Sequence, residues 1–218
     1  MRIETATVGR EGEPVVVIDD FASDYTALRE FAAQSQFVPA RQHYPGVRAD
    51  LPPDYLDRQL PLIQQAITAH IAPCRAIEVI DASLSMVTTP PEQLSPRQRV
   101  PHVDAYGRER IALVHFLSDH PGGTAFYHHR ASGFETVSEA RAPAFFAALD
   151  AELSQPPEGY IAGDTSLFEQ VLAIPAKANR ALLYRSCMLH SGIITHDVSL
   201  TGDALDGRLT VTGFFAIE

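Results

Sequence analysis

Cysteine is scarce in this chain. Of 218 residues only Cys74 and Cys187 carry a thiol, and they stand far apart. Two isolated cysteines make neither a disulfide framework nor a zinc ribbon, so both are expected to stay reduced. Long apolar runs are missing as well. No stretch approaches the ~18 residues that would suggest a membrane span, and Met1 to Arg10 lacks the apolar core of a secretory signal. A cytoplasmic protein without membrane contact is the expectation. Basic charge is also in short supply, with 17 Lys and Arg against 27 Asp and Glu, a net charge of -10. That field repels a phosphate backbone, and the clusters Arg97/Arg99 and Arg108/Arg110 are too small to reverse it. Nucleic acid is therefore not an expected partner. Internal repeats and low-complexity tracts are absent too.

What is present is ordinary globular composition, 45% apolar and 20% charged, in a length that suits one domain over 1–218. Val15-Val16-Val17-Ile18 is a β-branched run that predicts a buried strand. Ser23 or Asp24 can cap a helix whose apolar face is Tyr25, Leu28, Phe31 and Ala32. Prolines and glycine make 38–53 loop-like. A second helix carries Leu62, Ile63, Ala66, Ile67 and Ile71 on one stripe, with Pro61 expected in its first turn. Residues 20–72 thus form a helical support.

From about residue 76 to 218 the pattern is one of strands: Ile77–Met86, Ile111–Leu117, Thr124–His128, Val171–Ile174, Ala181–Tyr184, Ile193–His196 and Leu209–Ile217. Pro121-Gly122-Gly123 is expected to turn the third of these back on the second as a hairpin. A short helix near Pro143–Leu153 interrupts the series. Segments 38–53, 88–101 and 130–165 are the expected covers of a pocket. Many short strands with turns between them suggest a sandwich or barrel, so the expected class is mainly β with flanking helices.

The chemistry is concentrated in three places. In His102-Val103-Asp104 an extended backbone points residues i and i+2 to the same side, so an imidazole and a carboxylate can meet at one point. His190, after the strand Ala181–Tyr184 and at an expected turn, is the candidate second imidazole. Two histidines and one carboxylate form the face that non-haem Fe(II) oxygenases use, with positions left open for a chelating cosubstrate and O2. Third, Arg208 and Thr210 share one side of the last strand, where a guanidinium and a hydroxyl can hold the remote carboxylate of a dicarboxylate. Taken alone, Arg208 reads more readily as an edge-strand arginine paired with Asp206 or Glu218. His196 is the substitute if His190 is not a ligand. His115 reads as a core histidine whose parity with Leu113 and Leu117 allows a position near the cosubstrate. His128 and His129 read as surface residues, one of which could reach a substrate, and Tyr127 and Tyr184 as strand tyrosines that usually belong to a core but could contact a cosubstrate.

In this order the segments resemble the 2-oxoglutarate/Fe(II)-dependent dioxygenases, in particular the prolyl-4-hydroxylase-like branch, over almost the whole chain. Val17-Ile18-Asp19-Asp20-Phe21, Gly122-Gly123-Thr124-Ala125-Phe126, Ala181-Leu182-Leu183-Tyr184 with His190, and Arg208-Leu209-Thr210 carry the likeness. Tyr44-Pro45-Gly46-Val47-Arg48 and Gln98-Arg99-Val100-Pro101-His102 also resemble a bacterial family whose function is not known. The resemblance implies a double-stranded β-helix (a jelly roll, cupin-like), Fe(II) on His102, Asp104 and His190, and 2-oxoglutarate as cosubstrate with its C5 carboxylate on Arg208 and Thr210. It implies consumption of O2, release of succinate, and hydroxylation of an amino-acid, peptidyl or small-metabolite substrate. Asp104 fills the position that is a small residue in related halogenases, which favours hydroxylation. Two departures stand out: prolyl hydroxylases often use lysine where Arg208 stands, and Gly122-Gly123-Thr124 lacks the acidic residue common in their glycine turn. The rival expectations are a cupin-like metal enzyme that does not use 2-oxoglutarate and a non-catalytic jelly-roll binding protein. A homodimer is the base expectation for assembly.

Overall fold

The computed structural model describes residues 1–40 and 44–218. In chain order the elements are β1 (Arg2–Val8), β2 (Glu13–Asp19), α1 (Tyr25–Gln34), β3 (Val38–Pro39), β4 (Gly46–Ala49), α2 (Tyr55–His70), β5 (Ile77–Val87), β6 (Arg110–Phe116), β7 (Gly123–His129), α3 (Ala142–Glu152), β8 (Phe168–Pro175), β9 (Arg180–Arg185), β10 (His190–Ile193) and β11 (Leu209–Ile217). Two sheets form. The larger has the order β1-β2-β9-β6-β11-β5-β4-β3 and the smaller β10-β7-β8. Every pairing within them is antiparallel. The architecture is a mainly β jelly roll with three helices.

Alternation along the strands sorts the side chains into layers. Val15, Ala112, Phe116, Leu182 and Tyr184 of the large sheet meet Phe126 and Ile174 of the small one, forming the core between the sheets. The opposite parity of the large sheet, including Val16, Ile18, Ile111, Leu113, Leu183 and Val211, packs under α1 and α2. The outer face of the small sheet, Ala125, Tyr127 and Phe168, packs under Ala142, Phe145 and Leu149 of α3. Four layers result, helix–sheet–sheet–helix, with a core between the two sheets. No helix among the described residues is long and apolar enough to cross a membrane.

Several local expectations are corrected. Segment 38–53 is not all loop, because β4 pairs with β5 and extends the large sheet; its residues 41–43 lie outside the described ones. Gly46 permits this pairing, since a Cβ there would lie 1.9 Å from the Met86 carbonyl oxygen. Pro61 sits in the interior of α2, not in its first turn. The helix starts earlier, where Asp54 follows two prolines and the buried ring of Tyr55 anchors the first turn. Asp24 does cap α1, accepting from the Ala27 N–H at 3.1 Å. Phe31, expected on the buried face of that helix, is 39% exposed.

The Gly122-Gly123 turn is the largest correction. It does not fold β7 back on β6. It carries the chain from the large sheet to the small one, where β7 pairs with β10 and β8. Both glycines have positive φ, 105° and 149°, and a Cβ on either would come within 2.2 Å of a neighbouring carbonyl oxygen. The strand expected at Ile193–His196 also starts earlier. It runs His190–Ile193, so His190 opens a strand instead of sitting in a turn.

Candidate metal centre

His190 is placed by β10, which pairs with β7 so that His190 faces Phe126. Phe126 belongs to the core between the sheets, and cross-strand partners share a face, so the imidazole points inward. Its Nδ1 lies 2.9 Å from the Met188 carbonyl oxygen. That carbonyl can only accept, so Nδ1 carries the proton and Nε2 is left as the lone-pair donor. The sequence could not name this partner. The ring of Tyr184 packs edge-on at 4.9 Å.

His102 reaches the same point by a different route. It lies in the loop after the 3-10 turn Pro96–Arg99 and forms a two-residue antiparallel bridge with His190. Two residues on, the Asp104 N–H donates to the Ser186 carbonyl at 2.9 Å, which fixes the carboxylate. The outcome is a compact triangle. His102 Nε2 is 3.6 Å from Asp104 Oδ1, and His190 Nε2 is 3.4 Å from Asp104 Oδ2. One donor atom from each of the three residues lies within 4.8 Å of the others. Donors bound to one ion at 2.0–2.1 Å and at right angles are about 3 Å apart, so small side-chain adjustments close the triangle on a metal.

The three groups differ in exposure. The His102 side chain is 54% exposed, that of Asp104 17% and that of His190 7%. Burial pushes His190 down to about 4, against the attraction of Asp104. Burial alone would raise the Asp104 carboxyl, but His190 and His102 outweigh it and hold it below its ordinary value. Asp104 is thus an anion and His190 a neutral donor at neutral pH, the states that a divalent metal requires.

Arg208 lies beside this cluster. It is 6% exposed. Its Nη2 donates to the Gly123 carbonyl at 3.0 Å, while its Nε is buried without a partner. The expected alternative pairing with Asp206 or Glu218 does not form, and among the described residues no carboxylate pairs with it; Asp206 accepts from Ser199 instead. The guanidinium rests on Gly192, where a Cβ would meet Nη2 at 3.4 Å. Gly192 is two residues beyond His190 on the same face of β10, or roughly 7 Å along the strand. Thr210 is 1% exposed and donates to the Ser85 carbonyl at 3.2 Å. A buried guanidinium without a counter-ion is a costly arrangement. Burial lowers its pKa, yet an arginine remains charged. The donor set fits an anion, and the hard and borderline ligands His, His and Asp fit a divalent first-row metal.

The tyrosines around Arg208 are partly unexpected. Tyr184 faces inward as expected. Tyr127 instead faces α3, with a buried hydroxyl that has no partner. Tyr44 and Tyr160, which sequence reasoning missed, approach Arg208 closely enough to bear on its charge. The Tyr44 hydroxyl is buried, unpartnered and beside the hydroxyls of Thr210 and Ser85. Tyr160 donates to the Thr89 carbonyl at 2.7 Å. The phrase Tyr44-Pro45-Gly46-Val47-Arg48 was the signal that could have found the first of them.

His115, His128 and His129 are buried away from the triangle. His115 has the parity of the helix-facing layer, so it points away from the inter-sheet space. It is fully buried between Tyr55 and Asn179. His128 and His129 are buried, contrary to expectation, because β7 is the central strand of the small sheet; His129 pairs with Glu152 at 2.8 Å. His196 is exposed and belongs to no cluster with the triangle.

Known structures share this fold. SnoN, a non-haem α-ketoglutarate-dependent epimerase from nogalamycin biosynthesis, aligns over 94% of this chain and 78% of its own, with a TM-score of 0.50 and 14% identity. SnoK, a non-haem α-ketoglutarate-dependent carbocyclase from the same biosynthesis, aligns over 94% and 80%, with a TM-score of 0.52 and 14% identity. HygX from Streptomyces hygroscopicus, solved with nickel, 2-oxoglutarate and hygromycin B bound, aligns over 97% and 84%, with a TM-score of 0.52 and 9% identity. At such identities the likeness establishes the jelly-roll fold. No curated protein sequence matches the chain. The family described as a family of unknown function (DUF6445) matches residues 1–215, and the chain belongs to it.

Proposed function

We propose that residues 1–218 form one oxygenase domain that uses Fe(II) and 2-oxoglutarate, with His102, Asp104 and His190 as metal ligands and Arg208 and Thr210 as anchors of the cosubstrate's C5 carboxylate. The observation that carries this reading is the buried Arg208, without a counter-ion among the described residues, whose guanidinium rests on Gly192, two residues from His190 on the same face of β10. A five-carbon dicarboxylate that chelates at the triangle can place its far carboxylate on that guanidinium. When bound, the iron and 2-oxoglutarate supply the activation of O2 and the oxidation of a substrate C–H bond, with succinate and carbon dioxide as co-products.

The protein's own residues do the rest. Asp104 supplies the one negative charge of the ligand set and occupies the position that a halide would need, which favours hydroxylation. The Met188 carbonyl holds His190 in the metal-binding tautomer. Tyr44, Tyr160 and Tyr184 wall the arginine and exclude water, which strengthens its hold on an anion. Placement in the prolyl-4-hydroxylase-like branch rests on the sequence order alone. The partners of the proposal are O2 and a small-molecule or peptidyl substrate, with no role for nucleic acid, in a cytoplasmic setting that keeps the two buried cysteines reduced.

The test is direct. Protein purified without oxygen and given Fe(II) and 2-oxoglutarate is expected to develop a weak visible charge-transfer band. His102→Ala should abolish it. Arg208→Ala should weaken 2-oxoglutarate binding in calorimetry and leave metal binding in place. Metal binding with neither a band nor 2-oxoglutarate binding would favour a cupin-like metal enzyme of another kind, and no metal binding at all would leave a binding protein.

A further inference from the structure

The space between the sheets changes character along its length. Across β4, β5, β11 and β6, the residues Arg48, Ser85, Thr210 and Phe116 stand in one register row, and residues opposite one another in antiparallel pairs share a face. Phe116 belongs to the core between the sheets, so the whole row points inward. Val47 and Ala49, on either side of Arg48, pack toward the helices. The apolar core between the sheets contains no residue of β4 or β5. At that end the inward face carries Arg48, Ser85 and Thr210 beside a separate small apolar cluster of Val87, Ile194 and Val198, against which Tyr44 packs.

We infer that Arg48 receives a carboxylate of the organic substrate, which is accordingly a small carboxylic acid. The inference rests on the reading above, in which Arg208 is taken by the cosubstrate. Tyr44 stands between the two arginines. Arg208 acts on its hydroxyl, and the Arg48 guanidinium lies over its ring, with Cζ 4.9 Å from the centroid. Cation–π contact holds that plane in place without consuming its donors. Among the described residues Arg48 uses one donor only. Nη1 pairs at 3.2 Å with Asp81, whose side chain is 53% exposed. Nε is buried and donates to nothing. The Nε/Nη2 edge of a guanidinium is the fork that grips a carboxylate at two points, and on Arg48 that fork is unused.

A purely structural arginine behaves differently in this same protein. Arg99 spends Nε and Nη2 on the Leu94 carbonyl and Nη1 on the Pro157 carbonyl, tying two loops together. Arg48 ties nothing with its fork. Its charge also reaches Asp104, which places it within electrostatic range of the metal triangle, whose His102 is left open to solvent. A carboxylate held there leaves the rest of a small molecule to extend toward the ligand set.

The test uses the whole protein loaded with Mn(II), with and without 2-oxoglutarate. The probes are the protein amino acids and their N-acetyl derivatives, each paired with its own primary amide, in ligand-observed NMR and calorimetry. At least one acid is expected to bind ten-fold or more tightly than its amide. Arg48→Gln and Arg48→Lys should erase that preference and change 2-oxoglutarate affinity less than two-fold. Asp81→Asn, which frees the guanidinium, should tighten acid binding two- to three-fold. The inference is overturned if no acid outbinds its amide, or if Arg48→Gln retains the preference. Loss of 2-oxoglutarate binding in the unmutated protein would overturn the cosubstrate reading instead, while the comparison made without 2-oxoglutarate still decides the role of Arg48.

Discussion

His102 and His190 exchange a pair of backbone hydrogen bonds: the N–H of His102 donates to the carbonyl of His190 at 2.9 Å, and the N–H of His190 donates to the carbonyl of His102 at 3.0 Å. Two imidazoles 88 positions apart in the chain are thereby registered by the backbone, and their ring centroids lie 4.5 Å apart. The backbone pairing by itself brings the two imidazoles together.

That relationship predicts a separation of metal binding from stability. His102→Ala removes a half-exposed imidazole and leaves both backbone bonds intact. Stability should change by no more than about 0.5 kcal/mol, the usual range for surface substitutions. Affinity for Mn(II) or Ni(II) should fall by more than the ~10–100-fold that loss of a mere ligand-orienting partner causes. Calorimetry and thermal unfolding of the same preparations check both halves. A collapse of the fold would mean that the ring, not the backbone bridge, holds the loop.

Arg208 offers a sharper discrimination. A buried cation that serves structure destabilises when removed, because its partners are orphaned. A buried cation kept for an absent anion has no charged partner to orphan. Arg208→Met keeps the volume, loses one hydrogen bond to the Gly123 carbonyl worth about 1 kcal/mol, and removes an uncompensated charge whose burial costs several kcal/mol. The ligand-free variant should therefore unfold at the same temperature as the parent or higher. It should also lose the stabilisation that saturating 2-oxoglutarate gives the parent. Thermal scans with and without 2-oxoglutarate read both effects.

Much of this was legible because the informative residues sit in patterns that local physics fixes. His102 and Asp104 share a side because an extended backbone leaves no alternative, and Arg208 and Thr210 share one for the same reason. The β-branched run at Val15–Ile18 and the capped helix after Asp24 follow from propensity and capping. What was not legible depends on which strand meets which. The Gly122-Gly123 turn reads equally as a hairpin or as a crossing between sheets, since its glycines serve both. The direction in which His115 points follows from parity only once the helix-covered face is known. His128 and His129 look like surface residues until β7 proves to be a central strand. Tyr44 and Tyr160 reach Arg208 by tertiary packing that no local period announces.

The crossing itself can be tested. Gly123→Ala would put a Cβ 2.1 Å from the Ile174 carbonyl oxygen, at a φ of 149°. Backbone has to move to relieve this, and strain at such positions costs of order 1–3 kcal/mol. Because the Gly123 carbonyl is the acceptor for Arg208, the movement should also weaken 2-oxoglutarate binding in a variant that retains all named ligands. Gly133→Ala is the control: it also has a positive φ, of 75°, but an added Cβ meets nothing within 4 Å. It should show the backbone strain alone, with cosubstrate affinity unchanged in calorimetry.

Acid sensitivity should trace to His115, far from the metal triangle. Asn179 uses its side-chain amide to donate to the Ala22 carbonyl, so its Oδ1 is an acceptor, and His115 Nε2–H donates to it at 3.1 Å. Nδ1 then accepts from the Tyr55 hydroxyl at 2.9 Å. The ring is held neutral, and burial pushes its pKa from 6.5 down to about 4. In the unfolded chain the same histidine protonates near 6.5, so between pH 6.5 and 4 the unfolded state binds more protons. The stabilisation from neutral His115 is complete above 6.5, is lost as pH falls toward 4, and changes no further below that. A shift of this size corresponds to about 3 kcal/mol over the window. His190 has the same sign in metal-free protein, so the comparison to make is between parent and His115→Gln, both without metal. Glutamine can keep one hydrogen bond but cannot titrate. Its urea-unfolding free energy should be lower than the parent's at pH 7.5 and should fall less steeply toward pH 4. Parallel pH profiles for the two proteins would show that His115 titrates alike in the folded and unfolded chains and that its burial is not what makes the fold acid-sensitive.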